Sequence, residues 1–509
     1  MSKKVKKINI LLNIICAVLV IAGFTAFFAA RWFIKKYGNI GFASILYTLT
    51  AGLNGTSSNL INDYLLNSLR PALMLSAIVI VILLLSFENT LSVKIKTKSG
   101  DKKLKIYPFS DKASTAISAI LFLILITISC FSVGIPEWAS SIIRKSSIYE
   151  NEYVDPQNTE ISFPDKKRNL IYILLESMET SYLSEALGGA EPYNLIPELY
   201  QLAEENINFS HGSGIGGWGV TQNTTWTMAS MVAQTSGVPL SVPVNGNTLG
   251  NYKTILPGLC TIQDILHDAG YLQALMVGSD AGFAGRDEYY LQHGTDDVYD
   301  LSSAKKDGIV PSNYHVWWGM EDKHLFEYAK LKLTEMSESD QPFAFTMLTV
   351  DTHHIGGYKC DLCENEYTEN YENVIACSSK QTAAFIDWIK EQDFYEDTAI
   401  IICGDHLSMD AEYFSRNIDS EYERHVYNCI INSSVETEDT KNRIITPMDM
   451  FPTALAAIGC QIDGNRLGLG TNLFSSLETL AEKYGLEDLN KELAKHSDYY
   501  NKNFIKSNS

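Results

Sequence analysis

Positive charge is what this 509-residue sequence has little of: 40 Lys and Arg stand against 60 Asp and Glu, for a net charge of −20 at pH 7. The shortage is uneven. Residues 1–112 hold 15 basic and four acidic side chains, a local +11, which leaves −31 on the other 397 residues. A segment that acidic is a poor binder of nucleic acid, because it repels the phosphate backbone. The same charge argues against broad adhesion to an anionic membrane face. No internal repeat and no low-complexity tract is present. A glycine-rich stretch (Gly212, Gly214, Gly216, Gly217, Gly219) lacks the Gly-Lys-Ser/Thr ending, so it is not a P-loop.

Charge is also absent from three long apolar runs, Ile8–Ala30, Pro71–Phe87 and Ala113–Ile135. Crossing hydrocarbon takes roughly 20 apolar residues, with about 17 as the lower limit. Three transmembrane helices are expected, at 8–30, 71–87 and 113–135. The first run is longer than the apolar core of a cleaved signal peptide, which favours a retained helix. Ile40–Leu53, broken by Gly and Thr, is expected at the membrane surface. Eleven basic residues lie before the first helix (Lys3, Lys4, Lys6, Lys7) and between the second and third (Lys94 to Lys112), against four between Arg31 and Arg70. That asymmetry predicts an inside N-terminus and an extracytoplasmic location for everything after Pro136.

The expected organisation is a membrane anchor over 1–136, a linker over 137–166, a catalytic domain over 167–476 and a helical tail over 477–509. Within the domain, β-prone apolar runs at Leu170–Leu175, Leu272–Val277, Phe343–Val350, Thr398–Cys403 and Tyr427–Ile431 alternate with helical patterns such as Glu198–Glu205, Asp322–Thr334 and Gln381–Glu391. Near-continuous apolar strands between helices predict an α/β fold with a parallel sheet covered on both faces. Seven cysteines fall in this part. Cys360-x-x-Cys363 with Cys377 suggests a local disulfide in an exported domain, or a zinc or redox site; Cys403 reads as a buried thiol.

The chemistry-bearing residues follow strands, where functional crevices of α/β sheets lie. Glu176 follows the first strand, Ser279 and Asp280 the second, His353 the third, and Asp405 with His406 the fourth. Two carboxylates and an imidazole make a metal-binding set; taken singly, each also reads as a turn or helix-start residue. Thr224 precedes a helix predicted over Thr225–Ala233, where a hydroxyl would meet free backbone N–H groups suited to a phosphate. An ordinary threonine cap is the plainer reading. His353 could serve a phosphate or a leaving alkoxide, and Arg286 could clamp a phosphate or simply pair with Asp287 at the surface.

Four segments together resemble the sulfatase-like phosphoglycerol transferases of the alkaline phosphatase superfamily: Leu-Leu-Glu176-Ser, Thr224-Thr-Trp-Thr-Met-Ala-Ser-Met-Val-Ala with Gly237-Val-Pro-Leu, Thr349-Val-Asp-Thr-His353-His, and Gly404-Asp405-His406-Leu. The likeness runs from Asn169 to Phe474 and is greatest to the transferases that decorate periplasmic glucans, with lipoteichoic acid synthases more distant. It implies an alkaline-phosphatase/sulfatase-like domain on a membrane anchor. It also implies a single divalent metal, Mn²⁺ with Mg²⁺ or Zn²⁺ as alternatives, on Glu176, Thr224, Asp405 and His406. Thr224 would be the nucleophile, His353 a substrate-phosphate ligand and Arg286 a headgroup ligand. The implied donor is phosphatidylglycerol, and the acceptor an envelope glycan, a glycolipid or a polyglycerolphosphate chain. Ala284 and Gly278-Ser279-Asp280 depart from the synthases, which carry a tryptophan and a histidine there, so headgroup and acceptor contacts differ. A phosphoethanolamine transferase and an inactive envelope-assembly scaffold are the competing expectations. The Cys/Ser-x-Pro-x-Arg signature of true sulfatases is missing around Thr224.

Overall fold

The computed structural model describes residues 3–38, 42, 45, 58–88, 92–97, 100–105, 111–241, 254–317 and 319–505. Most of the Ile40–Leu53 stretch lies outside them. The chain divides into two compact units, one built from residues 1–42 and 56–139 and the other from 43–55 and 140–509.

The first unit is helical. Its main helices are Lys3–Tyr37, Arg70–Glu88 and Asp111–Ser132, and among the described residues three spans, Ile10–Tyr37, Ile61–Leu83 and Ala113–Ser132, are long and apolar enough to cross a membrane. The second span begins ten residues before the apolar run that announces it, because helix Ser58–Tyr64 and a π-turn at Leu65–Leu69 lead into it. Large side chains such as Leu11, Val18, Met74 and Leu123 face outward, the reverse of a water-soluble bundle. Five of the lysines between the second and third spans lie on a hairpin, Ser92–Thr97 against Gly100–Lys105.

The second unit is built on a seven-stranded sheet. In chain order its strands are β1 (Asn169–Leu175), β2 (Gly217–Trp218), β3 (Leu272–Val277), β4 (Asp297–Tyr299), β5 (Phe343–Leu348), β6 (Thr398–Gly404) and β7 (Val426–Ile431). They lie in the order β2-β7-β6-β1-β5-β3-β4. The strands from β6 to β4 are parallel, whereas β7 runs antiparallel to β6 and β2 antiparallel to β7. The sheet is therefore mixed at one edge.

Side chains of β1 alternate between two cores. Leu170, Tyr172 and Leu174 join one, and Ile171, Ile173 and Leu175 the other. Both faces of the strand are buried, which is why its sequence is a continuous apolar run. Helices α1 (Thr227–Ser236) and α4 (Met450–Ala457) belong to the first core; α2 (Asp322–Ser337) and α3 (Asn370–Lys390) to the second. Ile148 and Tyr149, from the expected linker, and Leu480, Leu489, Leu493, Tyr500 and Phe504, from the expected tail, are buried in the first core too.

Candidate active site

The parallel register puts Leu175 of β1 beside Gly404 of β6. The next residue of each chain, Glu176 and Asp405, therefore leaves the sheet at the same edge. Backbone bonds fix the pair: Asp405 N donates to Leu175 O at 3.1 Å, and Asp405 Oδ1 accepts from the backbone N–H of Ser177 and His406, both at 2.7 Å. Ser177 is held at φ 54°, a left-handed conformation costing a non-glycine residue of the order of 1 kcal/mol. Its hydroxyl donates to Glu176 Oε1 at 2.8 Å.

His406 completes the triad. Its Nδ1 lies 2.8 Å from the Leu407 carbonyl, an atom that can only accept, so Nδ1 carries the proton and Nε2 the lone pair. Nε2 stands 3.2 Å from Asp405 Oδ2 and 3.7 Å from Glu176 Oε1. All three residues are buried. Burial and the Glu176 carboxylate push Asp405 up to about 6. Burial works downward on His406, yet the Asp405 and Glu176 carboxylates outweigh it and hold it above its ordinary value.

Buried like charges around an imidazole lone pair suit a cation. Among the described residues no hydrogen-bond donor meets the buried Asp405 Oδ2. Ligand atoms of Glu176, Asp405 and His406 lie within 4.8 Å of one another. The residues therefore fit a divalent metal.

Thr227, three residues beyond the expected Thr224, also brings a hydroxyl within hydrogen-bonding distance of this triad. Thr227 Oγ1 lies 3.4 Å from Glu176 Oε2 and 3.3 Å from His406 Nε2. Thr224 instead donates to the Thr221 carbonyl at 2.8 Å. The reason is the helix start. Trp226 is still extended, with φ −149° and ψ 157°, and α1 begins at Thr227 rather than Thr225. The first-turn hydroxyl, with the positive end of the helix behind it, is therefore three residues further on. Three threonines at 224, 225 and 227 are equally able to start a helix, so composition could not choose among them.

His353 follows β5 and is half-buried; Arg286 opens the helix Arg286–Gln292 and is buried. His353 is pushed down to about 4 by burial, with His406 and Arg286 adding to the effect. Its Nδ1 is 2.7 Å from the His354 carbonyl, so the uncharged ring carries its lone pair at Nε2. Arg286 is buried rather than at the surface. Its guanidinium donates to Ser279 Oγ at 2.8 Å and to the carbonyls of Asp280 and Phe283 at 2.6 and 3.1 Å. This ties it to the loop after β3. None of the cysteines is in a disulfide, and Cys403 is a buried thiol within β6.

Residues 168–460 match the Sulfatase family model, more than half of the chain. Phosphoglycerol transferase I of Escherichia coli (strain 55989) is 32% identical over 333 residues, 64% of this chain, and that of Shigella boydii serotype 18 is equally similar. The chain spans about 41% of the length of these relatives. Two solved structures share the fold. One is an alkaline phosphatase superfamily protein from Vibrio parahaemolyticus, with TM-score 0.50 and 23% identity over 65% of this chain and 76% of that one. The other is the integral membrane lipooligosaccharide phosphoethanolamine transferase A of Neisseria meningitidis, with TM-score 0.51 and 13% identity over 87% and 84%. The chain belongs to the sulfatase family.

Proposed function

We propose that this protein is a membrane-bound, metal-dependent phosphoglycerol transferase in which Thr227 is the nucleophile. One observation carries the reading: Thr227 Oγ1, on the first residue of α1, is 3.4 Å from a ligand-type carboxylate and 3.3 Å from an imidazole lone pair. Similarity to phosphoglycerol transferase I supports phosphoglycerol as the group moved, and the sequence resemblance implies phosphatidylglycerol as its donor. Glu176, Asp405, His406 and Thr227 would hold the metal, with three oxygens and one nitrogen suiting Mn²⁺ or Mg²⁺ and admitting Zn²⁺. When bound, the ion favours the alkoxide form of the threonine and offsets phosphate charge.

Thr227 Oγ1 attacks phosphorus in line. The bond to the diacylglycerol oxygen breaks, and glycerophosphate is left on Thr227. The departing alkoxide needs a proton. His353, uncharged before substrate arrives, binds one more readily beside an anionic phosphate and can deliver it. It then takes a proton from the acceptor hydroxyl, which displaces the group from Thr227. Arg286 braces the loop beyond β3, from which the glycerol headgroup would be met. The acceptor is a hydroxyl of an envelope glycan, a glycolipid or a polyglycerolphosphate chain, and the lysine asymmetry supports an extracytoplasmic domain.

The test uses the full-length protein in detergent with fluorescent phosphatidylglycerol and Mn²⁺. Labelled diacylglycerol and a glycerophosphate adduct on the Thr227 peptide are expected. An adduct on Thr224 instead, or undiminished release by Thr227→Ala, would overturn the assignment. Faster turnover of phosphatidylethanolamine run in parallel would favour the phosphoethanolamine reading.

A further inference from the structure

Away from the triad, three sulfurs converge at one point. Cys360 Sγ is 3.5 Å from Cys363 Sγ and 3.9 Å from Cys377 Sγ, and all three lie within 4.8 Å of one another. They are buried and form a cluster separate from both sheet cores, with Tyr358 packed against it. Two lie on a tight turn, Cys360-Asp361-Leu362-Cys363, closed by a bond from Cys363 N to Cys360 O at 3.2 Å. The third comes from α3.

These spacings fit a shared ion better than a disulfide. Sulfurs about 2.3 Å from one tetrahedral zinc stand about 3.8 Å apart, close to the observed 3.5 and 3.9 Å. A disulfide would use two sulfurs and leave the third pressed against the bond. The C-x-x-C turn with a distant third cysteine is a zinc-type ligand spacing. A fourth group is also at hand. Gln381, one helical turn after Cys377, has its Nε2 3.3 Å from Cys377 Sγ and 4.0 Å from Cys360 Sγ. Among the described residues its buried Oε1 has no hydrogen-bond partner. Turning the amide over exchanges the two atoms and presents that oxygen to the ion.

We propose that Cys360, Cys363 and Cys377, with the Gln381 amide, form a second metal site, for a soft divalent cation of the Zn²⁺ class. Its role is structural. It fastens the loop that leaves β5, and that carries His353, to the side of α3. Tyr371 OH already holds the start of that loop through the Thr352 carbonyl at 2.9 Å. Tyr358, packed on the cluster, stacks on Trp317, whose ring also meets that of His353 with centroids 6.1 Å apart.

The experiment uses the full-length protein in detergent, reduced only during lysis. Asp405→Asn disables the triad as a metal site, so zinc that remains after dialysis reports on the cysteines. One ion per chain is expected in Asp405→Asn, lost when Cys363→Ser and Cys377→Ser are added. Cobalt in place of zinc should give thiolate-to-metal charge transfer in Asp405→Asn and none in the triple variant. Should the serine variants fail to fold, the Asp405→Asn chain itself is titrated with an organomercurial, and zinc should be released as the thiols react. A Cys360–Cys363 or Cys360–Cys377 disulfide in non-reducing peptide maps would overturn the proposal. So would a chain whose bound cobalt lacks the thiolate band. Neither result bears on Thr227 or on the transferase reading.

Discussion

Thr227 Oγ1 stands at the end of a helix that favours negative charge, 3.3 Å from His406 Nε2. Truncation to alanine removes the bond-forming atom itself, so Thr227→Ala should lower diacylglycerol release by roughly three orders of magnitude or more, on the scale of losing a nucleophile elsewhere. Thr227→Ser keeps the hydroxyl and should retain measurable release. Thr224→Ala loses a hydrogen bond to the Thr221 carbonyl, of the order of 1 kcal/mol, and should keep most of the activity. Comparing the three rates separates the two threonines. A second residue-scale prediction concerns Glu191, buried and bonded to Tyr413 OH. Burial, with the Glu372 and Glu179 carboxylates, pushes it up from 4.5 to about 7. The sign follows from proton binding. Between these values the folded protein keeps a proton that the unfolded chain has lost, so stability falls as pH rises through that window. Above it the penalty is fully present. Glu191→Gln cannot ionise, so its advantage over the wild type in urea melts should be small near pH 4.5 and largest near pH 8.

Among the elements, the C-terminal helices show how position can matter without chemistry. Asn490 Oδ1 accepts from the backbone N–H of Gln222 at 2.7 Å, and its Nδ2 donates to the Val220 carbonyl at 2.8 Å. These two bonds clamp the segment just before α1. Asn490→Ala should therefore cost about 1–2 kcal/mol and lower the transfer rate several-fold with the triad intact, which melting curves and rates would record together. That segment was legible as helical in its sequence, but its burial was not, because an amphipathic helix does not say which surface receives it. The strands were more readily read. β1, β3, β5 and β6 are buried on both faces and spell out apolar runs, whereas β2 and β4 are only two and three residues long and leave no pattern. The antiparallel direction of β7 was also hidden, since strand residues carry no mark of direction. Glu176, Asp405 and His406 were legible because each follows such a strand. The helix start that Trp226 delays was not legible, nor was the burial of Arg286, whose neighbour Asp287 suggested a surface pair.

Taken whole, the molecule joins an apolar, lysine-rich helical unit to a strongly acidic one. An acidic domain gains nothing by approaching an anionic bilayer unaided, since each added like charge raises the energy within about a Debye length, roughly 10 Å at 0.1 M salt. If its donor is an anionic lipid, the helices must supply the local concentration that electrostatics withholds. The charge pattern then makes a measurable distinction. Residues 140–509, which carry both sheet cores, should not cosediment with phosphatidylglycerol vesicles at low salt, where a basic domain would bind most strongly. Cut free of the helices, the domain should lose most of its rate on vesicle-embedded lipid. It should keep its rate on a short-chain, water-soluble phosphatidylglycerol, because Thr227 and the triad are all within it. Equal loss on both substrates would mean that the helices shape the site itself. Loss confined to vesicles would mean that they act by holding an acidic enzyme where its charge would not let it stay.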